Sequence, residues 1–312
     1  MQQVLVTGGT GFLGSHLVKR LVADENVEAV VVPSTKIRAN TSLGAMGLTS
    51  PKISLLEGDV RDFDFLQKLF AEYEFDTVFH LGAMSEVRKC QANSKLAFDV
   101  NIGGTVNLLE TIRLYGKVKR IIVSSSDKAY GEAELPYKET DPLAGNGIYE
   151  ASKSCQDLVA RSYHFNFGMP VVVTRCSNLY GPFDMNVSRI VPNTIRLIRS
   201  GKAPVIWKGS EASIREFLYV EEAVDAYLAL AEHIDVTKGQ AYNVGSGQRT
   251  EVKELVEELI SILDTSMSID YQEKSFPEIT HQYLDSTKIA RDTGWTASVS
   301  LADGLGYTVA QA

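Results

Sequence analysis

Two short stretches of the chain carry side chains able to move protons. In Tyr149-Glu150-Ala151-Ser152-Lys153 a phenol and an ammonium stand four residues apart, one turn along a single helix face. A cation so placed favours phenolate, so the spacing predicts a lowered Tyr149 pKa and an acid/base working near neutral pH. Upstream, Ser124-Ser125-Ser126-Asp127-Lys128 lines up hydroxyl, carboxyl and amine. Alone, that run reads as a helix cap or a turn; with Tyr149 and Lys153 downstream, Ser126, Asp127 and Lys128 join them as catalytic candidates. Each role carries a physical demand. Lys128 is a base only as the neutral amine, which requires desolvation or a neighbouring cation, and Asp127 is an acid only if it keeps its proton above the reference pKa of about 3.9. An ordinary Asp127–Lys128 ion pair would hold both groups in the wrong state.

These groups need a scaffold. Val4-Leu5-Val6, Ala29-Val30-Val31-Val32, Ile53-Ser54-Leu55-Leu56, Thr77-Val78-Phe79-His80 and Arg120-Ile121-Ile122-Val123 read as strands buried on both faces. Between them, residues 15–23, 64–73 and 101–115 carry apolar side chains at helical spacing, and a further helix from about Tyr149 to Phe165 leads into a strand at Val171-Val172-Val173-Thr174. The alternation predicts an α/β fold, a Rossmann-type doubly wound parallel sheet. The C-terminal third, punctuated by Pro182, Pro192 and Pro204, reads as a smaller substrate-binding lobe. Residues 1–177 plus about 215–242 are expected to form the dinucleotide-binding domain, and about 178–214 plus 243–312 the lobe, with ligand between them.

Directly after the first strand comes Thr7-Gly8-Gly9-Thr10-Gly11-Phe12-Leu13-Gly14. Gly8, Gly11 and Gly14 allow a tight turn and close approach of backbone to a pyrophosphate, and Phe12 and Leu13 open the helix whose N-terminus favours negative charge. A purely structural glycine turn is the alternative, and the strand–loop–helix context argues against it. At the end of the second strand, Val32-Pro33-Ser34-Thr35-Lys36-Ile37-Arg38 lacks the carboxylate that would hold a ribose 2′-hydroxyl. Ser34, Lys36 and Arg38 suit a 2′-phosphate instead, which favours NADP over NAD, although two cations in a polar loop are also simply well solvated there.

Composition limits the partners. Thirty-one basic against thirty-nine acidic residues give a net charge of -8, which repels nucleic acid and anionic membrane surfaces. Cys90, Cys155 and Cys176 are odd in number and far apart, as in a reducing compartment. The five histidines show no metal-ligand spacing, so no metal is expected. Met1-Gln2-Gln3 runs straight into the first strand without a leader, and no apolar run approaches the roughly 20 residues of a membrane span. A cytoplasmic protein is expected.

With these motifs in order, the chain resembles the extended short-chain dehydrogenase/reductase family, the nucleotide-sugar epimerases and dehydratases, over essentially its whole length. The matching segments are Thr7 to Gly14, Gly58-Asp59-Val60-Arg61-Asp62, Phe79 to Ala83, Asn101 to Glu110, the Tyr149/Lys153 pair, Arg175 to Pro182, Arg215 to Val220, Tyr242 to Gly247 and Gly294-Trp295. The resemblance implies a tightly bound, recycled NAD or NADP touched by Asp59, Val60, Leu81, Ala83, Asn101, Tyr149 and Lys153. It implies a nucleoside-diphosphate sugar contacted by Ser85, Asn178, Arg189 and Arg215, and a homodimer built on the Tyr149 helix. The Asp127-Lys128 pair looks like that of CDP-glucose 4,6-dehydratase. A 4,6-dehydratase is therefore expected, giving a 4-keto-6-deoxy sugar with internal hydride return, Lys128 taking the C5 proton and Asp127 protonating the leaving 6-hydroxyl. A 4-epimerase of the same family is the alternative, and a dinucleotide-sensing regulator without chemistry is a third reading, which the Ser126, Tyr149 and Lys153 set argues against.

Overall fold

The computed structural model describes residues 1–35, 41–273 and 279–311. Its strands are β1 Gln3–Thr7, β2 Ala29–Ser34, β3 Ile53–Glu57, β4 Thr77–His80, β5 Arg120–Ser124, β6 Val171–Cys176, β7 Asn178–Tyr180, β8 Val205–Trp207, β9 Ile214–Tyr219, β10 Ala241–Val244, β11 Arg249–Glu251, β12 Asp270–Gln272 and β13 His281–Gln282. Seven of them form a parallel sheet in the order β10-β6-β5-β4-β1-β2-β3. Its strands are apolar on both faces because both are covered. Val4 and Val6 enter a core with helices Phe12–Ala23 and Val220–Glu232, while Leu5 between them enters one with helices Phe63–Glu72, Gly104–Tyr115 and Ile148–Phe167. The order reverses between β1 and β4, which opens a crevice at their carboxyl ends, Thr7 and His80.

The second lobe is organised on β9, which pairs with β7, β11 and β13, beside the two-stranded β8–β12 ladder. Its own core gathers Tyr180, Val191, Ile195, Phe217, Tyr219, Leu255, Leu259 and Leu305. The expected return over residues 215–242 therefore divides. Strand β9 lies in the lobe, helix Val220–Glu232 crosses to helix Phe12–Ala23 through the Arg20–Asp225 and His16–Glu221 pairs, and only β10 joins the parallel sheet. An apolar strand has the same pattern whichever sheet it enters, so periodicity does not separate these pieces.

Within the parallel-sheet half, a buried ion pair joins β6 to the helix Ile148–Phe167. Arg175 Nε donates to Asp157 Oδ2 at 2.8 Å, and its NH1 donates to the Tyr130 hydroxyl at 2.7 Å, which in turn donates to Asn243 Oδ1. Tyr130 closes the 3-10 turn Asp127–Tyr130, so the pair anchors the turn carrying the reactive residues. Removing one partner leaves a buried guanidinium uncompensated, so Asp157→Ala is expected to cost about 3–5 kcal/mol in a urea unfolding titration. A loss below about 1 kcal/mol would show that the pair does not carry this anchoring.

Candidate active site

The glycine loop is shaped by close approach. Gly8 has φ +71°, and a Cβ there would lie 2.7 Å from Gly82 N; a Cβ on Gly14 would lie 2.2 Å from Gly8 O. Only glycines let the loop sit against the 81–83 segment and the helix sit against the loop. Gly11 is the N-cap of helix Phe12–Ala23 and offers no side-chain cap, so the first-turn N–H groups face the crevice without an internal partner of that kind. Leu81 and Ala83 follow β4 directly, and Ser34 ends β2 with its hydroxyl 3.4 Å from that of Thr10. These residues line the crevice as one rim, whose close-approaching backbone and helix N-terminus suit an anionic group. Lys36 and Arg38 lie outside the described residues. Asp59 borders the rim with its carboxylate bonded to Arg61 Nε at 2.9 Å, and that guanidinium holds it below the usual carboxylate range. Val60 packs against Gly104, whose missing side chain makes the room.

Behind the rim runs a chain of buried hydrogen bonds in which every proton can be assigned. Thr105 Oγ1 donates to Asn101 O at 2.7 Å and accepts from Gln156 Nε2 at 2.9 Å, so its remaining contact, His80 Nε2 at 2.9 Å, must donate to it. His80 Nδ1 is then the acceptor for Thr7 Oγ1, 2.7 Å away, and Thr7 accepts from Gly82 N. His80 is fully buried and its pKa falls to about 3, through burial first and then the Lys153 charge, so the ring is neutral as this tautomer requires. At the other end Gln156 Oε1 and Ser124 O each accept from Lys153 Nζ at 2.8 Å. Burial lowers Lys153 to about 8. Asn101 lies in a π-helical turn, Asp99–Gly103, that turns its amide inward onto Met84 N, Met84 O and Ser152 Oγ.

Tyr149 is buried near the start of helix Ile148–Phe167. Contrary to the lowered pKa expected from its spacing to Lys153, its pKa is raised, because burial outweighs a hydrogen bond with Ser126, and Lys153 is committed to Ser124 and Gln156. Ser126 caps the 3-10 turn by accepting from Lys128 N and donates its own proton to Asp127 Oδ1 at 2.9 Å. The capping role expected of this serine is what the structure shows. Asp127 is 2% exposed, Oδ2 has no hydrogen-bond partner among the described residues, and burial raises its pKa against the pull of Lys128 and Ser126. Among the described residues no ion pair joins Asp127 to Lys128; the amine instead donates to Gln282 Oε1 at 3.0 Å. The arrangement suits general acid catalysis by Asp127 and leaves the neighbouring amine free of a carboxylate partner.

The lobe residues fall into two groups. Arg189 stacks over the Phe12 ring at 5.6 Å and its charge reaches Tyr149, so it stands where lobe and crevice meet. Ser85 is exposed just after the 81–83 segment. Asn178 donates to Glu216 O, and Arg215 donates to the carbonyls of Ile214, Thr280 and Ile279, so both also hold their own lobe together. Sequence reasoning missed Gln156 and Gln282. Gln156 was visible as a polar residue three positions after Lys153 on the same face; Gln282 carried no such signal.

A family model described as GDP-mannose 4,6 dehydratase matches residues 5–308. The dTDP-glucose 4,6-dehydratase of Streptomyces griseus is 33% identical over 317 residues, covering 98% of this chain and 93% of the relative. Among solved structures, DesIV, a dTDP-glucose 4,6-dehydratase from Streptomyces venezuelae with NAD and TYD bound, has a TM-score of 0.90 at 30% identity, covering 99% of this chain and 96% of that one. The UDP-glucose 4-epimerase of Thermotoga maritima with UDP-glucose has a TM-score of 0.88 at 29% identity, covering 99% and 98%.

The neutral His80 gives a signed pH dependence. Between its ordinary pKa of 6.5 and the folded value of about 3, the unfolded chain binds a proton that the folded chain refuses, so stability falls as pH drops through that window. His80→Gln removes this contribution. Urea midpoints measured from pH 7 to pH 4 are expected to fall more steeply for the parent than for the variant, and parallel slopes would contradict the neutral assignment.

Proposed function

Because the chain belongs to the family of the GDP-mannose 4,6-dehydratase model, we propose that it removes water from a nucleoside-diphosphate hexose to give a 4-keto-6-deoxy sugar. The observation that carries this is Asp127: a buried carboxyl with its pKa raised, bonded to Ser126 and not ion-paired with the adjacent Lys128. The glycine rim, Asn101, Tyr149 and Lys153 would hold an oxidised nicotinamide dinucleotide, which when bound supplies a positive charge and a hydride acceptor that returns what it takes.

The protons balance through the protein's own groups. Tyr149, a neutral phenol in the unliganded site, would be brought to phenolate by the positive charge of the bound oxidised dinucleotide together with the Lys153 ammonium, which Ser124 and Gln156 fix in place, and the phenolate takes the proton of the sugar 4-hydroxyl. The ketone at C4 acidifies the C5 hydrogen, which leaves as a proton to Lys128. Asp127 gives its proton to the 6-hydroxyl, which departs as water, and Lys128 returns its proton to C5. Tyr149 then holds one proton too many and Asp127 one too few. Ser126, hydrogen-bonded to both, is placed to pass it back. Arg189 and Asn178 are proposed to meet the diphosphate. Ser34, Lys36 and Arg38 are proposed to tip the choice toward NADP, which a comparison of the two dinucleotides by calorimetry decides.

The purified protein should be offered CDP-, dTDP-, UDP- and GDP-hexoses and the products weighed. Loss of one water without added reductant is expected; a product of unchanged mass would give the epimerase reading instead, which the Thermotoga maritima enzyme's likeness keeps in view. Lys128→Ala is expected to stop water loss by at least about 100-fold while C4 oxidation continues. Normal turnover by that variant would remove Lys128 from the mechanism.

We also propose a homodimer. Leu114, Leu158, Phe165 and Phe167, all more than half exposed on helices Gly104–Tyr115 and Ile148–Phe167, leave an apolar surface that a second copy would cover. Light scattering should give twice the chain mass for the parent and a monomer for Leu158→Asp/Phe165→Asp; a monomeric parent would refute the proposal.

A further inference from the structure

Gln282 lies far from every motif in the sequence, yet its side chain enters the centre of the site. It is 1% exposed, and its Oε1 accepts from Lys128 Nζ at 3.0 Å across a separation of 154 residues. Among the described residues its Nε2 has no hydrogen-bond partner. The orientation follows from chemistry, because the flipped amide would set N–H donors against the amine, which has donors of its own. A buried amide donor left unmet is costly to the fold. A side chain kept only for packing would be an aliphatic one.

The segment carrying Gln282 is held tightly. Its backbone pairs with Arg215 on β9, and Arg215 reaches over to the carbonyls of Thr280 and Ile279. Glu216 Oε2 accepts from Leu284 N while Glu216 Oε1 accepts from Gly247 N, and Tyr283 O accepts from Tyr137 N. Around the turn that bears Lys128, the charged and titratable groups include Asp127 and Tyr130 on the turn itself, Tyr149 on its helix, Glu132 and Tyr137 on the following loop, Arg175 and Cys176 on β6, and Arg215 and Glu216 on β9. Among these neighbours the group that touches the amine is the uncharged amide.

We propose that Gln282 is the positioning residue for Lys128: its amide oxygen fixes the amine beside Asp127 while supplying no negative charge that would keep the amine protonated. An amide oxygen accepts equally from –NH₃⁺ and –NH₂, whereas a carboxylate in the same place would stabilise only the ammonium. This deepens the elimination chemistry proposed above and rests on it for the kinetic readout only.

The test uses Gln282→Glu, which keeps the shape and adds the charge, and Gln282→Met, which keeps the bulk and removes the acceptor. Lysine amines are reductively methylated with ¹³C-formaldehyde, the Lys128 resonance is identified by its loss in Lys128→Arg, and its titration is followed by NMR. In Gln282→Glu the midpoint is expected to move up by about 1–3 pH units, and solvent deuterium exchange at the sugar C5 to fall at least about tenfold at pH 7 and recover at higher pH. In Gln282→Met the midpoint is expected not to rise, while C5 exchange falls at all pH values. An unmoved midpoint in Gln282→Glu, or parent-level C5 exchange in Gln282→Met, overturns the assignment. If the parent itself exchanges no C5 hydrogen, the elimination reading fails, and the NMR titration still decides whether Gln282 governs the amine.

Discussion

Taking the Asp127 carboxyl out of water, with one oxygen on Ser126 and the other unpartnered among the described residues, makes its neutral form the cheaper one to bury. The chemistry proposed for this chain needs that outcome and little else from the residue. An acid at the end of a β-strand beside a lysine would ordinarily settle as an ion pair, and both groups would then be inert for elimination. Two features prevent it: the 3-10 turn that points Asp127 inward, and the amide from β13 that engages the lysine first. The turn is in turn held by Tyr130, Arg175 and Asp157, so a buried ion pair elsewhere in the sheet stabilises the separation of charges at the site.

A second constraint joins the glycine rim to the proton-moving groups. From Gly82 and Thr7 through His80, Thr105 and Gln156 to Lys153, each donor faces one acceptor, and the sequence of protons has a single solution. The neutral His80 is part of that solution, since an imidazolium would set two N–H donors where one acceptor is needed. Coupling of this kind keeps Lys153 in one place, while the lobe rests on its own sheet and core.

Much of this was legible in the residues. The apolar runs became β1 to β6, and Tyr149 and Lys153 lie on the helix their spacing implied, which extends from Ile148 to Phe167. The glycine loop lies between β1 and its helix, at the point where the strand order reverses. What escaped was whatever depends on burial or on long-range pairing. Spacing makes Lys153 a neighbour of Tyr149 but does not say that the phenol would be desolvated, and desolvation reversed the expected shift. The pattern of β9 does not reveal which sheet it joins. Gln282 sits in a two-residue edge strand whose position is set by Arg215 and Glu216, and no local signal could announce it.

The protonation state of Asp127 can be observed directly. Infrared difference spectra between the parent and Asp127→Asn, recorded at neutral pH without substrate, isolate the carbonyl stretch of this one group. A carboxylic-acid band present in the parent and missing from the variant is the expected result. A difference spectrum containing only the paired stretches of an ionised carboxylate would mean that Asp127 has no proton to give, and the elimination chemistry would lose its acid.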